Sequence, residues 1–272
     1  MNSLEKQMLA LLVETEKCCA ARYVKADFEA EGLRTEEILR LKNVAFRAGL
    51  KLSLTIGGCE AKRDLFESKN FGADIIVAPM VESAFALRKY EQAVHKVYSP
   101  EEREGIAFWF NLETKAATAK ADEILASESA CRLDIAAIDR VDLSLSLAAG
   151  EDDVDGPEVS ALAASLARKV KASGLGTAIG GGVSSRSFGL VSKLTAEGIL
   201  DYYETRKVGF STVGISEERY RRGLVLAYGF EIFYLRDKLQ GKRDSSARDA
   251  ARLDFLETTY WDEIRASMPA IV

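Results

Sequence analysis

Two rhythms of apolar residues alternate along the chain. Runs that are apolar at most positions stand at Cys19 to Phe28, Lys51 to Ile56, Ala73 to Val81, Ile106 to Leu112, Leu133 to Ile138, Gly176 to Ile179 and Leu200 to Phe210. Short, nearly continuous runs of this kind predict strands buried on both faces. Between them the apolar positions recur at helical spacing, as at Ile38, Leu39, Leu41, Val44 and Ala45 within Thr35 to Ala48, and again over Ser83 to Val97. Strands alternating with helices predict βα units around a parallel sheet. The expected fold is α/β, a (β/α)8 TIM barrel over residues 1–215. With seven strands in evidence, the N-terminal helix or a short strand elsewhere must complete closure, so at least one unit is irregular.

Two further helices, Glu217 to Lys238 and Ser245 to Ser267, make a C-terminal helical extension over residues 216–272. The first carries a broad apolar face of Leu224, Val225, Tyr228, Ile232, Phe233 and Leu235. Such a face suits packing on the barrel or an oligomer interface, and a homo-oligomer is the expected state. The acidic, turn-rich segment Gly150 to Pro157 reads as an exposed loop after the fifth strand, a candidate flap.

Composition narrows the partners. At 272 residues and 47% hydrophobic, the chain has the length and apolar content of one barrel with a sizeable core. A net charge of −5 without a concentrated basic face argues against nucleic acid and anionic membranes. No stretch has the length of apolar residues needed to span a bilayer, and the N-terminus lacks a signal-peptide core, so a cytoplasmic location is expected. Cys18, Cys19, Cys59 and Cys131 lack metal-type spacing and read as reduced thiols. The lone histidine, His95, falls near a helix end and reads as a surface residue.

The candidate chemistry lies where apolar runs stop. Glu113 and Asp142, twenty-nine residues apart, each follow a predicted strand. Strand ends of a parallel barrel face the active site, so two hard oxygen donors on successive ends can hold Mg²⁺ or Mn²⁺ beside a substrate. Two glycine-bearing loops, Gly57-Gly58 with nearby Glu60 and Gly181-Gly182, would let backbone approach a ligand closely at the same mouth. Lys25, Asp27, Glu29 and Glu31 alternate along or just after the first strand, where Lys25 with Glu29 or Glu82 would form a polar network beneath the site.

Three segments in order and register, Ala78-Pro79-Met80-Val81-Glu82-Ser83, Asn111-Leu112-Glu113-Thr114-Lys115 followed by Asp122-Glu123-Ile124-Leu125, and Arg140-Val141-Asp142-Leu143-Ser144, resemble the HpcH/HpaI aldolase and citrate lyase beta-subunit family. The resemblance runs from about Tyr23 to Phe210 and implies a metal-dependent lyase on a barrel related to that of pyruvate kinase, with Glu113 and Asp142 as metal ligands. It departs from the family pattern in lacking a matching histidine base and the arginine of the strand before Pro79. Asp139 and Ala148-Ala149 stand where glycines are expected.

The chemistry implied is making or breaking a carbon–carbon bond of a 2-oxo acid or related carboxylate through an enolate that bound Mg²⁺ stabilises. Arg140 and Arg206 are the candidate cations for substrate anions, and a metal-bound water, Lys25 or Glu82 the candidate proton donor. Two alternatives are a phosphorylated substrate cradled by the glycine loops, and a non-catalytic binding subunit that kept the barrel.

Overall fold

The computed structural model describes residues 1–28, 30–150, 153–240 and 247–268. Its strands are β1 (Ala21–Asp27), β2 (Lys51–Thr55), β3 (Ile75–Ala78), β4 (Ala107–Asn111), β5 (Ile135–Asp139), β6 (Gly176–Gly180), β7 (Tyr202–Glu204) and β8 (Val208–Ser211). The helices are α1 (Ser3–Cys19), α2 (Thr35–Arg47), α3 (Lys62–Phe71), α4 (Ala84–Val97), α5 (Pro100–Arg103), α6 (Lys115–Ala119), α7 (Ala121–Leu125), α8 (Arg140–Ser146), α9 (Pro157–Ala172), α10 (Phe188–Ala196), α11 (Glu217–Gln240) and α12 (Ala247–Ser267). The strands close in sequence order into an eight-stranded α/β barrel.

The irregular unit is the last. β1 to β7 pair in parallel, whereas β8 is antiparallel to both β7 and β1. The run Leu200 to Phe210, expected as one strand, is a hairpin that reverses at Thr205-Arg206-Lys207. The Thr205 amide donates to the Val208 carbonyl (2.9 Å) and the Val208 amide to the Thr205 hydroxyl (3.1 Å), so the turn closes without a crossover helix. The charged residues inside that apolar run are therefore a turn at the barrel mouth, where β7 ends and β8 begins.

Period-two alternation divides the apolar residues into two layers. Tyr23, Ile75, Val77, Trp109, Ile135, Ala137 and Ala178 fill the barrel interior, while the larger outer layer joins strands to helices. Three rings close the interior: Tyr23 lies edge-on to Trp109 at 5.3 Å, and Tyr202 packs at 5.6 Å from Trp109 and 5.9 Å from Tyr23. Gly209 on β8 makes room for Tyr23, because a β-carbon there would overlap the ring.

α1 starts with a reciprocal cap, Asn2 Oδ1 accepting from the Glu5 amide (2.8 Å) and Glu5 Oε2 from the Asn2 amide (2.7 Å). It packs along α11, which α12 covers in turn. Leu224, Val225, Tyr228, Ile232, Phe233 and Leu235 are all buried within the single chain, so the broad apolar face of α11 is consumed internally rather than left for a second copy. Among the described residues, no helix is long and apolar enough to cross a membrane.

Candidate metal centre

The mouth is built by residues that end strands. β4 leads through Asn111 and Leu112 to Glu113, just before Thr114 caps α6 by accepting from the Ala117 amide (3.0 Å). β5 ends at Asp139, which caps α8 by accepting from the amides of Val141 (2.9 Å) and Asp142 (3.3 Å). One turn of α8 then carries Asp142 to the same place. Glu113, Asp139 and Asp142 each offer a carboxylate oxygen within 4.8 Å of the other two.

Glu113 is the most enclosed of the three, at 2% exposure. Its Oε1 accepts from the Met80 amide (2.6 Å) and its Oε2 from the Asn111 side chain (2.8 Å), which leaves a lone pair on each oxygen. Met80 holds that amide in place with a backbone φ of 54°, a left-handed conformation that costs a residue with a β-carbon about 1–3 kcal/mol. Burial pushes the Glu113 carboxyl up to about 8, and Asp139 and Asp142 add to the rise against the two hydrogen bonds. Three hard carboxylate donors converge, one of them buried, a set that fits a divalent cation such as Mg²⁺ or Mn²⁺.

The other expected site residues are spread wider. Arg140 has no exposed surface, and its five N–H groups reach the carbonyls of Gly180 (3.3 Å), Val154 (3.5 Å) and Gly181 (3.1 Å), Asp155 (2.8 Å) and Ser187 (3.0 Å). No donor remains for a substrate, so the expected anion clamp is instead a brace between the β5 and β6 ends. Its partner Asp155 ties down the segment read as a flap, of which Glu151 and Asp152 lie outside the described residues. Arg206 is likewise committed, to Glu31, Glu231 and Asp249.

Gly181 does not open toward a ligand. At φ 70° it lies against the α8 start, where a β-carbon would overlap Asp139 and the Arg140 and Val141 amides, and Gly182 packs beside Val154. The Gly57 amide donates to Asp64 (2.7 Å), Gly58 stands at φ 152°, and exposed Glu60 pairs with Lys89 of α4 (3.2 Å). Glu82, exposed near the rim, accepts from the Thr114 hydroxyl (2.8 Å). His95 pairs with Glu91 on the outside of the barrel (2.8 Å).

Lys25 does reach the interior of the mouth, where it pairs with Glu204 rather than Glu82, and Glu204 also accepts from the Tyr23 hydroxyl (2.7 Å). Glu29, the other expected partner, lies outside the described residues. Alternation along β1 stops at Asp27, so Glu31 leaves the mouth and joins Lys207. Asp139, where the family pattern predicts a glycine, is the third acid of the cluster. Its signal was local: an acid directly after an apolar strand and three residues before Asp142, the spacing that caps one turn of helix and shares its face.

Fold and site together define a barrel with an acidic cluster at the C-terminal ends of its strands, where enzymes of this architecture work. Residues 59–181, which include the whole cluster, match the family model for HpcH/HpaI aldolase/citrate lyase, so the resemblance carried by the three motifs holds over this segment. An HpcH/HpaI aldolase from Desulfitobacterium hafniense DCB-2 superposes with a TM-score of 0.59 at 18% identity, covering 74% of this chain and 82% of that one. An HpcH/HpaI aldolase/citrate lyase family protein from Burkholderia cenocepacia J2315 gives 0.56 at 13%, covering 73% and 82%. A malate synthase from Haloferax volcanii, in a magnesium/glyoxylate complex, gives 0.51 at 12%, covering 90% and 87%. At these identities the superpositions speak for the fold. No curated protein matches the chain in sequence.

Proposed function

We propose that this protein is a divalent-metal-dependent enzyme that makes or breaks a carbon–carbon bond of a 2-oxo acid or related carboxylate. The observation that carries the reading is the convergence of Glu113, Asp139 and Asp142 within 4.8 Å at the barrel mouth, with Glu113 buried. Glu113 and Asp142 would hold Mg²⁺ or Mn²⁺, with Asp139 as a third donor that also fixes the α8 start. Bound there, the cation would supply the positive charge that stabilises an enolate.

The chain's own contribution is to set the donors in advance. Met80 and Asn111 aim the Glu113 carboxylate, and the Arg140 brace holds the loop against which Asp139 rests. On cleavage the electron pair of the broken bond stays with the 2-oxo fragment, and the partner's hydroxyl loses a proton to a base. Glu82 is the exposed carboxylate beside the Thr114 cap and is proposed for that proton. A phosphorylated substrate is less well supported, since the Gly57 amide is taken by Asp64 and Gly181 is packed against Asp139. Localisation in the cytoplasm and assembly into a homo-oligomer remain part of the proposal.

Calorimetry of pyruvate and oxaloacetate, with and without Mg²⁺, tests the reading on wild type and Asp142→Ala. The expected result is binding that needs metal and is lost in the variant. Wild-type binding that ignores metal, or no binding of either acid, overturns it.

A further inference from the structure

An anionic substrate entering a ring of carboxylates needs a fixed cation, and the mouth has a specific one to offer. The cations near this rim differ in what they have left to give. Arg140 has spent all five N–H groups, Arg206 faces three carboxylates, and Lys207 is buried against Glu31 beneath the Tyr234 ring (4.2 Å). Lys25 is the exception. It follows Tyr23 by two residues on β1, so it faces the barrel interior, one step nearer the mouth than the aromatic floor.

The ammonium of Lys25 donates to Glu204 Oε2, its one hydrogen bond among the described residues, and the side chain keeps 20% exposure. An ammonium has three donors, so two remain. Glu204 is held from its other oxygen by Tyr23, which fixes where the Lys25 charge stands. Gly180 stands beside both this pair and the acidic cluster. A β-carbon there would sit 3.0 Å from Glu204 Oε2 and 3.8 Å from Asp139 Oδ2, so the glycine leaves the two groups of charges facing one another.

Two buried polar atoms point the same way. The Ser53 hydroxyl, on the β2 residue in register with Lys25, and the Trp109 indole N–H, on the floor ring beside Tyr23, lack hydrogen-bond partners among the described residues. A buried donor left unpaired costs about 1–3 kcal/mol, and both lie close to Lys25, one in register with it and one in the ring layer beneath it.

We propose that Lys25 is the substrate-binding cation of this site, its ammonium donating to the carboxylate of a short 2-oxo acid whose carbonyl end lies toward Glu113, Asp139 and Asp142. The proposal rests on the reading of the site as a metal-dependent 2-oxo acid centre. It adds a size limit, because the Tyr23, Trp109 and Tyr202 rings close the barrel directly below. Neither Lys25 nor Glu204 falls within residues 59–181, so the role is carried by the geometry of β1 and β7 rather than by the family match.

The test uses oxalate, a planar two-carbon dicarboxylate, as the probe, with Mg²⁺ titrated alone and then with oxalate at saturating Mg²⁺. The variants are Lys25→Met, Lys25→Arg, and Lys25→Met combined with Glu204→Gln, the last leaving no carboxylate unpaired should the single change fail to fold. Loss of a charge-assisted hydrogen bond is expected to weaken oxalate binding about 10- to 100-fold in both methionine variants. Mg²⁺ affinity is expected to hold, and arginine to restore part of the loss. Oxalate binding as tight as wild type in the folded double variant overturns the role of Lys25 while leaving the metal centre intact. If wild type binds Mg²⁺ but neither oxalate nor pyruvate, the reading of the site falls and this proposal with it.

Discussion

The molecule gathers charge in two places, and it treats them in opposite ways. Around the β7–β8 turn, Glu31, Glu231 and Asp249 are met by Arg206, Lys207, Lys238 and Arg252, so nearly every buried charge has an opposite neighbour. At the ends of β4 and β5, Glu113, Asp139 and Asp142 face one another, with Lys25 and its partner Glu204 across Gly180. The paired network anchors the C-terminal helices to the barrel. The like-charged cluster is relieved by a cation or by a proton on Glu113, and that imbalance marks it as the candidate site and the paired network as a fastening.

The largest expected effect comes from unbalancing the paired region. Lys207→Met would leave the buried Glu31 carboxylate with Arg206 as its remaining cation and the Tyr234 hydroxyl as a donor, and breaking a buried ion pair from one side costs about 3–5 kcal/mol. Urea denaturation should show that loss, with Mg²⁺ affinity of the folded protein unchanged. A loss under about 1 kcal/mol would mean that the network adds little to stability and that the contrast is one of position alone.

In the like-charged region the effect turns on pH. Glu113 has its carboxyl raised from 4.5 to about 8 in the folded protein, so folding favours its protonated form. Its contribution to stability is full below 4.5 and is lost as pH climbs to about 8, a change of a few kcal/mol at most. Without metal the melting temperature should therefore fall across that window, the fall should flatten when Mg²⁺ is added, and Glu113→Gln should remove it. A metal-free profile of Glu113→Gln identical to wild type would rule out this carboxyl as its source.

How much of this was legible in the sequence follows from the range of each interaction. The strand runs and the helical spacing of Ile38, Leu41, Val44 and Ala45 are local, and β2, β4 and α2 formed within a residue or so of where the pattern put them. Glu113 and Asp142 each follow an apolar run, and the structure brings their carboxylates within 4.8 Å of each other. The polar run Glu204 to Lys207 interrupts an apolar stretch with four polar residues, yet a turn and a charged strand look alike until β8 is seen pairing with β1. The commitments of Arg140 and Arg206 depend on partners 14 to 175 residues away, from Val154 to Glu31, and no local pattern announces them.

The smallest effect tests where the second region ends. Glu60 stands beyond the Gly57-Gly58 turn, a position that predicts a substrate contact, but its carboxylate is solvated and turned to Lys89 on α4. An exposed pair of this kind is worth about 0–1 kcal/mol, because water screens both charges and two long side chains must be held still. Glu60→Gln should accordingly shift stability by no more than that, and leave Mg²⁺-dependent oxalate binding at its wild-type value in the same calorimetric titration. A clear loss of binding would place the β2 loop over the substrate and extend the site from β4 and β5 across to β2. An unchanged isotherm would leave it at the three clustered carboxylates and Lys25 opposite them.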